Sequence, residues 1–78
     1  MRDVVVYLAR ALVDEPDRVT VEELPGGRGV TYEIRTAPDD VGKLIGRGGR
    51  TVKALRRVVK ATAPKGRRVE VEVLGEGE

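Results

Sequence analysis

The sequence predicts an α+β fold in which three helices cover the single apolar face of a three-stranded sheet. Apolar residues recur with helical spacing in three segments and alternate with polar residues in three others. These elements follow each other in the order α-β-β-α-α-β, and each has only one apolar side to bury. The 78 residues suffice for one small domain. We therefore predict a single domain over residues 1–78, with a frayed polar tail at 75–78.

The first element is predicted to be a helix over residues 2–13. Its apolar residues recur along one helical face, and the proline at position 16 disfavours a helical conformation in the residue before it. The residues of that face are Val4, Leu8, Ala11 and Leu12. We therefore expect these four side chains to pack on the sheet.

A β-hairpin is predicted next, because residues 18–24 and 30–35 alternate between apolar and polar side chains. The segment 25–29, which is rich in glycine, is predicted to form its turn. The only aromatic residues, Tyr7 and Tyr32, are both predicted to pack in the core. Modules that stack bases on several aromatic side chains, such as RRM, OB and cold-shock domains, are therefore excluded.

A short helix is predicted to begin at Thr36 and to end at Gly46. Thr36 is a suitable N-cap, with Pro38 in the first turn and Asp39 in the capping-box position. Asp39 and Asp40 could be interpreted as a metal-binding or acid–base pair. Stabilisation of a helix N-terminus explains both residues, and we favour that interpretation.

A longer helix is predicted from about residue 50 to about residue 63, where a proline and a glycine follow. One of its faces is apolar, and a second face is basic within about 80° of arc. The apolar face contains Val52, Leu55, Val59 and Thr62, and the basic face contains Arg50, Lys53, Arg57 and Lys60. Alternating valines and glutamates then predict a last strand over residues 67–74.

The composition argues against an enzyme. The chain has no cysteine and no histidine, so it lacks thiolate and imidazole ligands and any Ser-His or Cys-His pair. We therefore expect no catalytic activity, no cofactor and no metal. No apolar run approaches the roughly 20 residues of a membrane span, and charged residues interrupt the N-terminal stretch. We expect a cytoplasmic protein without a signal peptide or a membrane partner.

Charge is segregated along the chain. Residues 41–68 contain ten lysines and arginines and no acidic residue, whereas the remainder contains five basic and all thirteen acidic residues. Such segregation points to a polyanionic partner more strongly than the net charge of +2 does. A basic run is more often only a solvated surface, but a solvated surface normally mixes both signs. Arg67 and Arg68 have a simpler interpretation, because charged residues also protect strand edges.

The basic segment contains a glycine cluster between the two predicted helices. Its spacing matches neither the Walker A loop nor the dinucleotide-binding fingerprint, and no strand precedes it. What remains is a G-x-x-G loop over residues 46–49, which can also be interpreted as a simple helix–helix turn capped by glycines. Glycines there allow phosphates to approach the backbone at a helix N-terminus, and flanking basic side chains add charge. Apolar residues beside the loop are expected to line a groove for bases. The expected binding residues are Lys43, Leu44, Ile45, Gly46, Arg47, Gly48, Gly49, Arg50, Val52 and Lys53.

The segment 38–56, with its Ile-Gly-Arg-Gly-Gly core and a helix on each side, resembles a KH domain, which clamps about four nucleotides. The element order is similar to that of the type II, prokaryotic arrangement. In length and N-terminal helix the chain resembles the small bacterial single-KH RNA-binding proteins of the KhpA type. The resemblance implies a type II KH fold with a mixed three-stranded sheet and three helices on one face. It also implies binding of single-stranded RNA (or of chemically similar single-stranded DNA) without catalysis, as a homodimer or with a second KH-containing protein.

Two other function classes can be weighed against RNA binding. In a protein-interaction module the loop would bind nothing, and an apolar surface would dock a larger RNA-binding or ribosome-associated protein. A nucleotide-binding or enzymatic role has no supporting pattern. The sequence therefore favours a non-catalytic RNA-binding module, and it contains no distinctive reader of particular bases.

Overall fold

The computed structural model describes residues 1–77 and contains three helices and one three-stranded sheet in the predicted order. The helices are α1 (Arg2–Leu12), α2 (Val41–Ile45) and α3 (Arg50–Thr62), and the strands are β1 (Thr20–Gly26), β2 (Gly29–Thr36) and β3 (Arg68–Gly75). Short 3-10 turns occupy Pro16–Arg18, Pro38–Asp40 and Arg47–Gly49. No helix in this part of the chain is long and apolar enough to cross a membrane.

The sheet is mixed, as the family resemblance implies, and its strand order is β1-β2-β3. β1 pairs with β2 in antiparallel fashion, whereas β2 and β3 are parallel because α3 connects their opposite ends. Residues of one face align across the strands, so that Ile34 lies between Val21 and Val73, and Tyr32 lies beside Val71. The predicted α+β class and its sheet are thus confirmed.

The core lies between this face of the sheet and the helices. Val5 and Ala9 of α1, Leu44 of α2, and Leu55 and Val59 of α3 are all buried. They pack with the inward-facing strand residues Val21, Tyr32, Ile34, Val69 and Val71. The opposite face of the sheet is polar, and three glutamates, Glu22, Glu33 and Glu72, lie side by side across it. The helices therefore cover one face only.

Tyr32 is the buried aromatic residue of this core. Burial, together with the hydrogen bond that its hydroxyl donates to Glu23, raises the pKa of Tyr32 to about 12. Its predicted core position is confirmed. The same prediction for Tyr7 is wrong, because 73% of Tyr7 is exposed.

Tyr7 lies on α1, where the predicted buried face is also wrong. Val5 and Ala9 face the sheet, whereas Val4, Ala11 and Leu12 are exposed and Leu8 is half-buried. The cause is composition: α1 is apolar over most of its circumference, so helical spacing alone allows two different faces. An apolar surface of α1 consequently remains uncovered.

The hairpin is tighter than the sequence suggested. β1 continues through Pro25 to Gly26 and β2 begins at Gly29, so only Gly27 and Arg28 form the turn. Pro25 is tolerated because β1 is an edge strand. The predicted five-residue turn is therefore corrected to two residues.

The start of the second helix differs from the prediction. Thr36 is the last residue of β2, and no side chain caps either the turn Pro38–Asp40 or α2. Asp40 is buried, and its carboxylate accepts hydrogen bonds from the backbone N–H groups of Asp14 (3.2 Å) and Glu15 (3.0 Å). This carboxylate ties the end of α1 to the start of α2, a role beyond the predicted interaction with the helix dipole.

The end of β3 is more ordered than predicted. Gly75 belongs to the strand, and the backbone N–H of Glu76 donates a 2.8 Å hydrogen bond to the Thr36 carbonyl. The Glu76 carboxylate also pairs with Arg18. This contact lowers the pKa of Glu76 and raises that of Arg18. The predicted frayed tail is therefore wrong for these two residues, and its last residue, Glu78, lies outside the described residues.

Candidate nucleic-acid interface

The loop between α2 and α3 is held in place by close contact at Gly46. Its backbone N–H donates a 2.8 Å hydrogen bond to the Gly42 carbonyl, which closes α2. Gly46 has φ 75°, and a Cβ atom at this position would lie 2.3 Å from Thr51 Oγ1 and 2.8 Å from Thr51 N. No larger residue fits without displacing the start of α3. Thr51 thus shapes the loop, although sequence reasoning did not select it.

The next part of the loop presents bare backbone to the surroundings. Gly48 and Gly49 adopt φ values of 65° and 79°, which disfavour residues with side chains. A Cβ atom on Gly48 would meet no heavy atom within 4 Å, so open space lies beside this residue. Gly49 is the N-cap of α3, no side chain caps the helix, and its first turn contains no acidic residue. The N–H groups of Gly49 and Arg50 already donate to the carbonyls of Gly46 and Arg47. The N–H groups that follow them in the first turn of α3 remain available to an anion.

Three basic side chains project from this region. Arg47 lies in the loop, Arg50 starts α3 and Lys53 follows one turn later, and all three are exposed. None of them forms an ion pair within the part of the chain that the structure describes. They and the N-terminus of α3 place positive charge around one site.

Lys43, a fourth predicted binding residue, differs from these three. Its ammonium group pairs with the Asp14 carboxylate, and this hydrogen bond raises the pKa of Lys43. Asp14 and Asp40 also attract it electrostatically. An anion near Lys43 would therefore have to compete with a carboxylate already in place.

The apolar residues predicted to line a groove do not act alike. Ile45 is 37% exposed and stands directly before the loop, whereas Val52 is half-buried against the core. Leu44 has no exposed surface, so it supports the loop from inside the core and offers a ligand no contact. The structure brings the other predicted residues together around the start of α3.

α3 separates two unlike surfaces. One side bears the basic flank, which we define as Lys53, Arg56, Arg57 and Lys60; these four residues border one shared concavity. The other side bears the apolar groove, which we define as Leu8 and Leu12 of α1 together with Ala54, Leu55 and Val58 of α3. Arg50 and Thr51 line the end of this groove that is nearest the loop. Arg56 and the apolar groove both escaped sequence-based selection, although the i, i+3 and i+4 spacing of the four cations is visible in the sequence.

The structure supports no metal centre near these surfaces. Among residues 1–77, no group of three or more acidic side chains is arranged to hold a metal ion. Asp39 is exposed, whereas the Asp40 carboxylate is already satisfied by backbone donors. The chemistry available at the site is therefore that of hydrogen-bond donors and positive charge.

Comparisons with known proteins agree with this geometry. A family model described as "KhpA/KhpB, KH domain" matches residues 2–73. The "RNA-binding protein KhpA" of Mycobacterium tuberculosis is 49% identical over 69 residues, covering 88% of this chain and 86% of the relative. The proteins of the same name from Halalkalibacterium halodurans and Clostridium acetobutylicum are 48% and 44% identical over 75 residues, covering 95% of this chain and 99% and 100% of the relatives. No solved structure matches the chain. The chain belongs to the KhpA/KhpB family of KH domains.

Proposed function

We propose that this protein is a non-catalytic RNA-binding module that grips single-stranded RNA at the loop Gly46–Gly49. One observation carries the proposal: positive-φ glycines, two exposed arginines with no ion pair among the described residues, and a helix start without a side-chain cap converge on a single site. The relatives are named RNA-binding proteins, which agrees with it. We place its role in cytoplasmic RNA metabolism or post-transcriptional regulation.

The binding chemistry follows from the donors at the site. Phosphate oxygens approach the open backbone at Gly48 and accept hydrogen bonds from the N–H groups that follow Arg50 in the first turn of α3. Arg47 and Arg50 add forked donors that suit phosphate geometry. Ile45 offers an apolar surface beside the loop for a base. These contacts recognise backbone and flat base surfaces, so we expect weak sequence preference.

A matched pair of double variants tests this proposal. In Arg47→Asp/Gly48→Asp, the new carboxylates repel phosphate, and we expect RNA affinity to fall by at least about tenfold. The substitution at Gly48 is compatible with folding, because nothing lies within 4 Å of its Cβ position and aspartate tolerates positive φ better than most residues. Affinity is measured by fluorescence anisotropy with labelled random-sequence RNA.

The control is Gly27→Asp/Arg28→Asp in the hairpin turn. Gly27 also has positive φ (56°) and free space beside it, so the backbone cost and the charge change are the same. This control should bind RNA with nearly unchanged affinity. If circular dichroism shows both variants folded and both bind RNA like the parent protein, the loop is not the RNA site.

We also propose that the protein acts as a dimer, with the apolar groove at the interface. Val58 is 45% exposed, Leu12 43% and Val4 38%, and these residues lie on adjoining helices. A helix that is apolar over most of its circumference normally buries both sides. A second copy could cover this surface through a two-fold axis, because the same residues would then meet each other.

The same exposed surface favours the second candidate function, a protein-interaction module that docks a larger RNA-binding or ribosome-associated protein. The two candidates predict different losses. If Val58→Asp abolished the cellular activity while Arg47→Asp/Gly48→Asp left both activity and RNA binding intact, docking would be the main function. We expect the loop variant to lose activity.

A further inference from the structure

The four cations of the basic flank have no acidic partner within residues 1–77, in contrast to Arg18, Arg35 and Lys43. Arg18 pairs with Glu15 at 3.3 Å and also with Glu76, Arg35 pairs with Glu33 at 2.8 Å, and Lys43 pairs with Asp14. Within residues 1–77, no ion pair involves a residue of the basic flank. The fold thus compensates charge in several places and leaves it uncompensated along one side of α3.

Their spacing brings these charges close together. Lys53 and Arg57, like Arg56 and Lys60, are four residues apart on α3 and therefore neighbours on its surface. Arg56 is half-buried, and its Nε atom is buried without a hydrogen-bond partner among the described residues. Four like charges around one concavity repel each other in the free protein. A ligand with closely spaced negative charges would remove this repulsion.

The basic flank is continuous with the loop. α3 begins immediately after Gly49, so Lys53 lies one helical turn from the loop and Lys60 about two turns further on. From Lys53 to Lys60 the basic flank spans about 10 Å. At about 3.4 Å per stacked nucleotide, that length corresponds to about three nucleotides.

We propose that the basic flank is a second phosphate-binding segment, which extends the RNA site of the loop along α3 and lengthens the bound RNA beyond the nucleotides at the loop. This inference rests on the proposed RNA binding of the loop. A nucleic-acid strand suits the flank because it carries one charge per nucleotide at regular spacing. An acidic protein segment is the competing ligand, and binding to RNA and to an acidic peptide distinguishes these two ligands.

The test compares RNA of two lengths. Random-sequence RNAs of 4 and 12 nucleotides with a fluorescent label are titrated with the protein between 50 and 200 mM salt. Each phosphate contact changes the slope of log K against log salt by about 0.7 for single strands. The parent protein should therefore show a steeper slope with the longer RNA, because only that RNA extends past Lys53 to Arg57 and Lys60.

The variant is Arg57→Gln/Lys60→Gln, which removes two exposed charges without adding any. We expect its affinity for the longer RNA to fall by at least about tenfold at 50 mM salt. When the salt concentration is raised from 50 to 200 mM, the affinity of the parent protein should fall by a factor about seven times larger than the affinity of the variant falls. This difference corresponds to two lost phosphate contacts. Affinity for the 4-nucleotide RNA should stay within about twofold. The control Arg10→Gln/Arg28→Gln, which removes two charges outside α3, should behave like the parent protein.

Each contrary outcome has a distinct meaning. If the flank variant binds the longer RNA with the parent's affinity and slope while Arg47→Asp/Gly48→Asp weakens both RNAs, the extension is wrong and the loop site stands. If the loop variant binds both RNAs normally, the proposed function itself fails. If the flank variant loses affinity equally for both RNAs, the flank lies inside the four-nucleotide site and the proposed extension is wrong. If the flank variant loses binding to an oligoglutamate peptide while its RNA affinity is unchanged, the flank binds an acidic protein partner.

Discussion

The two sides of α3 differ in what they leave unsatisfied. On the basic flank, positive charges stand without acidic partners among residues 1–77, whereas at the apolar groove Leu12 and Val58 are exposed. The core residue Val59 lies between them, and together with Leu55 at the inner edge of the groove it holds the helix on the sheet. One helix therefore serves three purposes: its middle stabilises the fold, and each side is suited to a different kind of partner.

The difference shows why the two sides need different tests. Binding of a polyanion is electrostatic and therefore depends strongly on salt. Association through an apolar surface depends on buried area and little on salt. A substitution at Gly46 affects both sides of α3, whereas substitutions at Val58 and Arg57 each change one side.

The largest effect is expected at Gly46, the residue from which α3 starts. Gly46→Ala places a Cβ atom 2.3 Å from Thr51 Oγ1 and 2.8 Å from Thr51 N, at a backbone conformation that disfavours side chains. We expect the free energy of unfolding to fall by about 2–4 kcal/mol, measured by urea denaturation. Both sides of α3 would then lose function together.

Gly42→Ala is the matched control for this change. Gly42 lies inside α2 with a helical backbone, and a Cβ atom there meets nothing within 4 Å. Alanine should therefore leave stability unchanged or raise it by up to about 1 kcal/mol. If Gly46→Ala and Gly42→Ala lowered the free energy of unfolding by similar amounts, the steric explanation of the loop would be contradicted.

Val58→Asp should disrupt the apolar groove alone. A carboxylate placed in an apolar interface must be desolvated, so we expect the dimer dissociation constant to rise by at least about 100-fold, equivalent to about 2.7 kcal/mol. Sedimentation velocity measures the change. Because Val58 is 45% exposed in the single chain, the stability of the monomer should hardly change. A parent protein that is monomeric at high concentration would refute the dimer proposal.

A smaller and opposite effect is expected when the basic flank is neutralised. Arg57→Gln removes a positive charge that lies beside Lys53 and Lys60, which relieves the repulsion among the three. The free energy of unfolding should therefore rise by about 0.4–1 kcal/mol at low salt. High salt should diminish the gain, because screening already weakens the repulsion. Urea denaturation at two salt concentrations measures both quantities.

Arg10→Gln is the control for charge removal. Arg10 lies in the last turn of α1, where a positive charge interacts favourably with the helix dipole. Its loss should leave stability unchanged or slightly lower. If Arg57→Gln were also destabilising, the flank charges would be structural rather than reserved for a ligand.

The sequence predicted the parts of this protein that depend on local pattern. α3 has one apolar face bounded by basic residues, so helical spacing identified both its core contact and the cations Lys53, Arg57 and Lys60. The glycine loop was equally visible, because a helix interior does not tolerate such a cluster. The mixed character of the three-stranded sheet followed from the family resemblance.

What the sequence could not show depends on residues distant along the chain. The partner of Asp40 is the backbone of Asp14 and Glu15, more than 20 residues away, and Lys43 is occupied by Asp14 for the same topological reason. Thr36 was a plausible helix cap locally, but pairing with Gly75 extends β2 through it. On α1, two apolar faces were possible, and only packing on the sheet selects Val5 and Ala9.

The most direct test of the account is the affinity for a 4-nucleotide RNA, measured side by side for Arg47→Asp/Gly48→Asp and Val58→Asp. This RNA is too short to bridge two protomers, so dimerisation does not influence the result. We predict that the loop variant loses at least about tenfold in affinity, whereas the Val58 variant binds like the parent protein. Parent-like binding by the folded loop variant would contradict the account.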